Sequence, residues 1–206
     1  RRAGSLGGME HIEFAYSLNG AGAGRRLENE AEVLARLKAD DLAWVHLKAD
    51  HPETDGWMEG ALDFVEPPTR AALTAPATRP RTSVQEDGLV VILRGVNLNP
   101  GEEIEDMVSL RVFLNPARII TLSRRPLRSL AELREAVEKG EGPARVGEFL
   151  VSLVERLGAR IDDAILALSE RVDEMEDAVI AGPAPEQRAQ ILDDRQEVID
   201  LRRYPG

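Results

Sequence analysis

No cysteine occurs among the 206 residues, so the chain has no disulfide framework, no thiolate metal ligand and no thiol nucleophile. Any metal must be held by oxygen or imidazole, and imidazole is scarce: there are three histidines, His11, His46 and His51. Apolar runs are short as well. "LVVIL" at 89 to 93 is closed by Gly88 and Arg94, far below the roughly 20 residues a membrane-crossing helix needs. Positive charge is in deficit: 37 acidic residues stand against 26 Lys plus Arg, a net charge of -11 that disfavours a phosphate backbone and attracts cations. Nucleic acid is therefore not an expected partner. Several catalytic signatures are absent too. No Gly-rich phosphate loop leads into Lys-Ser or Lys-Thr, "NGAGAG" at 19 to 24 opens no nucleotide fingerprint, and no Gly-x-Ser-x-Gly elbow occurs. An enzyme is not expected, and neither is an organic cofactor.

What is present reads as a folded α/β chain, with 43% hydrophobic residues to build its core. Residues 1–8, "RRAGSLGG", are unpatterned and are set aside as an expression-tag remnant or a disordered start. "IEFAYSL" (12–18) and "LAWVHLK" (42–48) predict strands. "ENEAEVLARLKA" (28–39), "ETDGWMEGALDF" and a Pro67-Pro68 start predict helices. Between 81 and 123 the breaks at Glu86-Asp87-Gly88 and Asn115-Pro116 divide β-rich runs into an antiparallel meander. "LVVIL", apolar on both faces, is expected to be the central strand of the sheet, with "MVSLRVFL" and "RIITLS" less completely covered on one face.

After Pro126 the pattern is helical. One helix stops at a C-capping Gly140, a long one runs from about Pro143 to Ile180, and "EQRAQILDDRQEVIDLRRY" forms a final helix. The expected fold is a mixed sheet with an antiparallel meander flanked by helices (α/β/α), then a long stalk-like helix and the final helix. Residues 9–142 form the sheet domain and 143–206 the helical stalk region.

In the long helix, Val154, Leu157, Ile161, Ala164, Leu168, Val172, Met175 and Val179 make an apolar stripe. At about 100° per residue, Glu155, Asp162, Glu170, Asp173 and Asp177 gather on one flank, with Arg160 and Arg171 on the other. Either this is a solvated helix with incidental charge, or the acidic flank of one subunit faces the basic flank of the next in a ring. A carboxylate flank of this kind also suits a partly hydrated divalent cation, and Asp162, Asp173 and Asp177 are the candidate metal ligands. His46 and His51, with Asp50 and Asp55 nearby, are a second candidate for zinc, although core or surface histidines fit them better.

Taken in order, "FAYSLNGAG" (14–22), "WVHL" (44–47), "RAAL" (70–73), "TRPR" (78–81), "LRGVN" (93–97), "SLRVFL" (109–114) and "LRRY" (201–204) resemble the cytoplasmic N-terminal domain of CorA-type divalent-cation transporters, ZntB-like branch. The resemblance spans Glu13 to Tyr204. It implies a funnel-forming homopentamer on the cytoplasmic face of the inner membrane, whose stalk continues into two transmembrane helices and a Gly-Met-Asn pore loop beyond this chain. It further implies zinc or magnesium as the ion, with zinc favoured. Gly95-Val96-Asn97 is like that loop in composition alone and is expected to be a strand end leading into a turn at Asn99-Pro100-Gly101. The rival readings are a soluble oligomerisation or scaffold module with no metal role and, behind it, a hydrolase using surface carboxylates. Two hydrophobic segments of roughly 20 residues following Tyr204 in the gene would separate the transporter from the scaffold.

Overall fold

A computed structural model describes residues 9–39, 41–75, 79–102, 106–181, 196 and 199. Twelve elements follow one another: β1 (Ile12–Leu18), β2 (Gly24–Arg26), α1 (Glu30–Lys38), β3 (Ala43–Lys48), α2 (Thr54–Ala61), α3 (Pro67–Thr74), β4 (Arg81–Val84), β5 (Leu89–Gly95), β6 (Val108–Asn115), β7 (Arg118–Ser123), α4 (Arg128–Lys139) and α5 (Val146–Ala181). The local signals act as expected. Asn29 caps α1 by accepting from the Glu32 amide at 3.0 Å, and Gly140 ends α4 with φ of 82°. The anticipated final helix lies outside the described residues, apart from Gln196 and Ile199, which are helical; residues 1–8 lie outside them too.

One seven-stranded sheet runs β2-β1-β3-β7-β6-β5-β4. All pairings are antiparallel except β3 with β7, where Ala43 to Lys48 lie beside Arg118 to Ser123. That parallel pair joins the N-terminal strands to the meander. Strand alternation sends Ala43, Val45 and Leu47 to one face, against Val33, Leu37, Met58, Leu62 and Leu73 of the first three helices. Trp44 goes to the other face, with Phe14, Tyr16, Val112 and Ile119, against Leu130, Leu133, Phe149, Leu153 and Leu157 of α4 and α5. The layers are α/β/α.

Two expectations change. The central strand is β7, not "LVVIL", which is β5 and sits next to the edge. β6 and β7 are covered on both faces although they alternate, because helices pack on each side of the sheet and polar residues such as Arg111 and Thr121 find partners inside. Arg111 donates to Ala75 O at 2.8 Å, and the Thr121 hydroxyl accepts from Trp44 Nε1 at 3.0 Å. β2 has no counterpart in the sequence reading, since three residues after a glycine-rich turn carry no periodic signal.

Helix α5 is continuous for 36 residues. Its buried line is Phe149, Leu153, Leu157, Ala164 and Leu168, whereas Val154 is 46% exposed. The stripe thus enters from Leu153 rather than Val154, about 100° round the helix, because Phe149 and Leu153 are the residues facing Trp44 and its neighbours. Beyond Leu168 no described side chain of α5 is buried, so the last 13 residues, about 20 Å of helix, run past the sheet's core. Among the described residues no helix is long and apolar enough to cross a membrane.

Gly158 does not break this helix, and a Cβ there would meet nothing within 4 Å. Gly158→Ala should therefore stabilise the chain by about 0.5–1 kcal/mol, read as a higher urea midpoint with an unchanged slope. Gly95 is the opposite case. A Cβ there would lie 2.7 Å from Leu127 and 2.8 Å from Leu157, so glycine ends β5 where α5 presses on the sheet. The next residues form the expected turn: buried Asn97 accepts from the Asn99 amide at 3.2 Å, and Gly101 has φ of 79°. Glu102, exposed at the acidic tip that follows, is bonded by Asn97 at 2.6 Å and Arg125 at 2.9 Å, contacts that lower its pKa. Residues 103–105 of that tip lie outside the described set.

Candidate functional site

The acidic flank is in place on α5. Asp162, Asp173 and Asp177 are exposed and share one side of the helix, because 11 and 4 residues are near-integral numbers of turns. Asp173 and Asp177 are one turn apart, about 6 Å along the axis; Asp162 is about 16 Å away from Asp173. One ion cannot touch all three on a single chain. One chain offers a single ion at most Asp173 and Asp177, and water or groups from another subunit would complete its shell. The basic flank is partly occupied: Arg160 pairs with Asp163 at 3.0 Å and Glu132 at 3.8 Å of its own chain.

The histidines are arranged differently from their order in the chain. His46, on β3, belongs to the face of Phe14 and Trp44, and its ring stacks on Phe14 at 5.0 Å. Its two nitrogens lie 3.0 Å and 3.4 Å from the hydroxyls of Thr121 and Ser123. Burial drives its pKa down to about 3, against a smaller raising effect from the Thr121 backbone. Glu13 stands 3.5 Å from Nε2 but is 37% exposed and screened by water. His46 is a satisfied core histidine.

His51 meets His11 instead. The β1–β3 pairing sets Ile12 opposite Leu47, and the Lys48 amide bonds His11 O at 2.9 Å. The turn after β3 then folds back, held by Thr54 Oγ1 to Lys48 O at 2.6 Å and the Thr54 amide to His51 O at 3.0 Å. Ligand atoms of His11, His51 and Glu53 end within 4.8 Å of one another, the only such trio of metal-ligating groups among the described residues. His11 was absent from the candidates read in the sequence, because 36 residues separate it from the strand end it pairs with. The signal available was the pairing of two predicted strands. Asp50 and Asp55, proposed partners of His51, line two separate cavities.

The larger cavity, about 1040 Å³, opens on the meander side and is lined by six arginines, Arg111 among them, and by three carboxylates, Asp50, Glu102 and Asp106. Arg111 is 2% exposed, and burial with the nearby Arg124 and Arg94 lowers its pKa. The cleft's balance of charge is positive and favours anions over cations.

The description "CorA-like Mg2+ transporter protein" fits residues 39–205. The divalent cation transporter CmaX of Pseudomonas aeruginosa is 40% identical over 195 residues, 93% of this chain and 58% of CmaX. The zinc transport protein ZntB of Pectobacterium atrosepticum is 30% identical over 190 residues, 92% of this chain and 56% of that protein. The chain thus spans a little over half the length of the curated relatives it matches. Among solved structures, full-length CmaX superposes with a TM-score of 0.85 at 36% identity, covering 96% of this chain and 61% of CmaX. The ZntB cytoplasmic domain of Vibrio parahaemolyticus gives 0.75 at 22%, covering 94% and 74%, a likeness of fold. With the family's description matched over residues 39–205 and the α/β/α sheet and long α5 in place, this chain belongs to the CorA-like Mg2+ transporter family.

Proposed function

We propose that the chain is the soluble part of a divalent metal-ion transporter, that zinc is its ion, and that it funnels or senses cations and passes their occupancy along α5. In this reading residues 9–142 are the sheet domain and 143–206 the stalk region. The whole protein is a homopentamer, and this part lies on the cytoplasmic face of the plasma membrane. The observation that carries the proposal is the similarity to full-length CmaX over nearly the whole chain. The zinc assignment is supported by the ZntB relatives, which are named for zinc transport. The family is one of ion transporters rather than enzymes.

The surface of α5 supports assembly. Val151, Val154 and Ile165 are 57%, 46% and 39% exposed and share a side of the helix, giving an apolar strip for a neighbouring stalk. Asp162, Asp173 and Asp177 would then contribute to cation sites between subunits, their mutual repulsion offset by a bound divalent ion. Sedimentation velocity across concentration, with zinc or magnesium at matched ionic strength, tests this. Wild type should associate more tightly with metal, and the Asp162→Asn, Asp173→Asn, Asp177→Asn triple variant should lose most of that increment. Equal behaviour of the two proteins would leave the flank as solvated surface and favour a scaffold module without a metal role.

A further inference from the structure

We propose that His11, His51 and Glu53 form a zinc-binding site within a single subunit, separate from the acidic flank of α5. The carrying observation is His11. It is 3% exposed, yet neither ring nitrogen has a hydrogen-bond partner, a costly state for a buried imidazole. His46 is the internal comparison, equally buried but with a hydroxyl at each nitrogen. Nδ1 of His11 faces Glu53 Oε2 at 3.6 Å, beyond hydrogen-bond reach and on the side of the ligand trio.

The donor set suits zinc. Two imidazoles and one carboxylate with water as a fourth ligand is a known zinc arrangement, whereas magnesium prefers an all-oxygen octahedron. Tetrahedral zinc with bonds of about 2.0–2.1 Å needs ligand atoms about 3.3 Å apart, so a spread of up to 4.8 Å must close by roughly 1.5 Å. The mobile members can supply that. Glu53 is 64% exposed, and its carboxylate makes no capping bond to α2, while the His51 side chain is 19% exposed. His11 stays fixed, with Trp57 packed on its ring at 5.2 Å. The surroundings are negative: Glu10 lies 3.9 Å from His51 Nε2, and Glu30 accepts from Trp57 Nε1 at 2.8 Å.

His51 Nδ1 accepts the Glu53 amide at 3.2 Å, which puts the ring proton on Nε2. Binding zinc through Nε2 moves that proton to Nδ1, and binding through Nδ1 replaces the amide hydrogen with the metal. Either route releases the Glu53 N–H.

Calorimetric titration of zinc chloride into the 206-residue chain tests the site, alongside His51→Ala, Glu53→Gln and the triple α5 variant. One zinc should bind per chain at this site, in addition to any ion held between subunits on α5. Affinity should fall about 10-fold or more in each of the two site variants and stay unchanged in the triple variant. Zinc should also shift the Glu53 amide resonance and raise the melting temperature of wild type but not of His51→Ala; magnesium at the same concentration should do neither. Unchanged zinc affinity in folded His51→Ala and Glu53→Gln, or a Glu53 amide that does not respond, would overturn the site. Loss of zinc binding in the triple variant alone would assign the ion to α5 and overturn it equally. Because the readout is binding by one chain, its failure is separable from that of metal-linked association on α5.

Discussion

Trp44→Ala should destabilise the chain by about 3–5 kcal/mol, the usual cost of emptying a large aromatic site in a packed core. Trp44 is fully buried on β3. Its ring meets Phe14 edge-on at 4.9 Å and Phe149 of α5 edge-on at 4.9 Å, and Nε1 donates to Thr121 on β7. One side chain thus ties the N-terminal strands, the central strand and the root of the long helix. Truncation opens a cavity, removes two aromatic contacts worth about 0.5–1.5 kcal/mol each beyond area, and deprives the Thr121 hydroxyl of a donor. Urea unfolding followed by circular dichroism gives the loss. Trp44→Phe should cost clearly less, because it keeps most of the apolar volume and forfeits the hydrogen bond. A loss below about 1 kcal/mol in the alanine variant would mean that α5 is rooted elsewhere. If α5 carries occupancy, the same variant should also uncouple metal-linked association from the sheet.

Acidification should weaken the fold well above the range where carboxylates protonate. His46 takes up a proton near pH 6.5 when unfolded but only near about 3 when folded, since burial disfavours its cation. Between those values the unfolded state binds more protons. The contribution is therefore complete above pH 6.5 and is lost as the pH falls. At about 1.4 kcal/mol per pH unit, some 2 kcal/mol should be gone by pH 5. The charged groups facing His46 are Glu13 and Arg134, the first favouring protonation and the second opposing it. His46→Asn should remove this slope, so the check is the wild-type minus variant stability from pH 7.5 to 4.5. A difference that does not change with pH would show that His46 protonates without resistance. His11, whose pKa burial also lowers, acts in the same direction in both proteins and cancels in the difference.

What the sequence determined by itself was the succession of elements and the class of the fold. Asn29, Pro67, Gly140 and the 3.6-residue recurrence along α5 act within a few residues of themselves, so their meaning survives without the fold. The family was legible for a related reason, because ordered short segments carry the likeness. Tertiary structure decided everything that depends on which distant segments touch. β7 became the central strand because β3 pairs with it in parallel across some 70 residues, which no local period encodes. The buried line of α5 begins at Leu153 rather than Val154 because Phe149 and Leu153 meet Trp44's face of the sheet; both spacings are equally helical. The carboxylates Asp162, Asp173 and Asp177 could be placed on one flank from spacing alone, since a helix carries its own geometry. The His11, His51 and Glu53 trio could not. Chain proximity paired His51 with His46, but strand alternation turns His46 toward α4 and α5. The antiparallel closure of β1 on β3 then brings His11 to the turn that holds the other two.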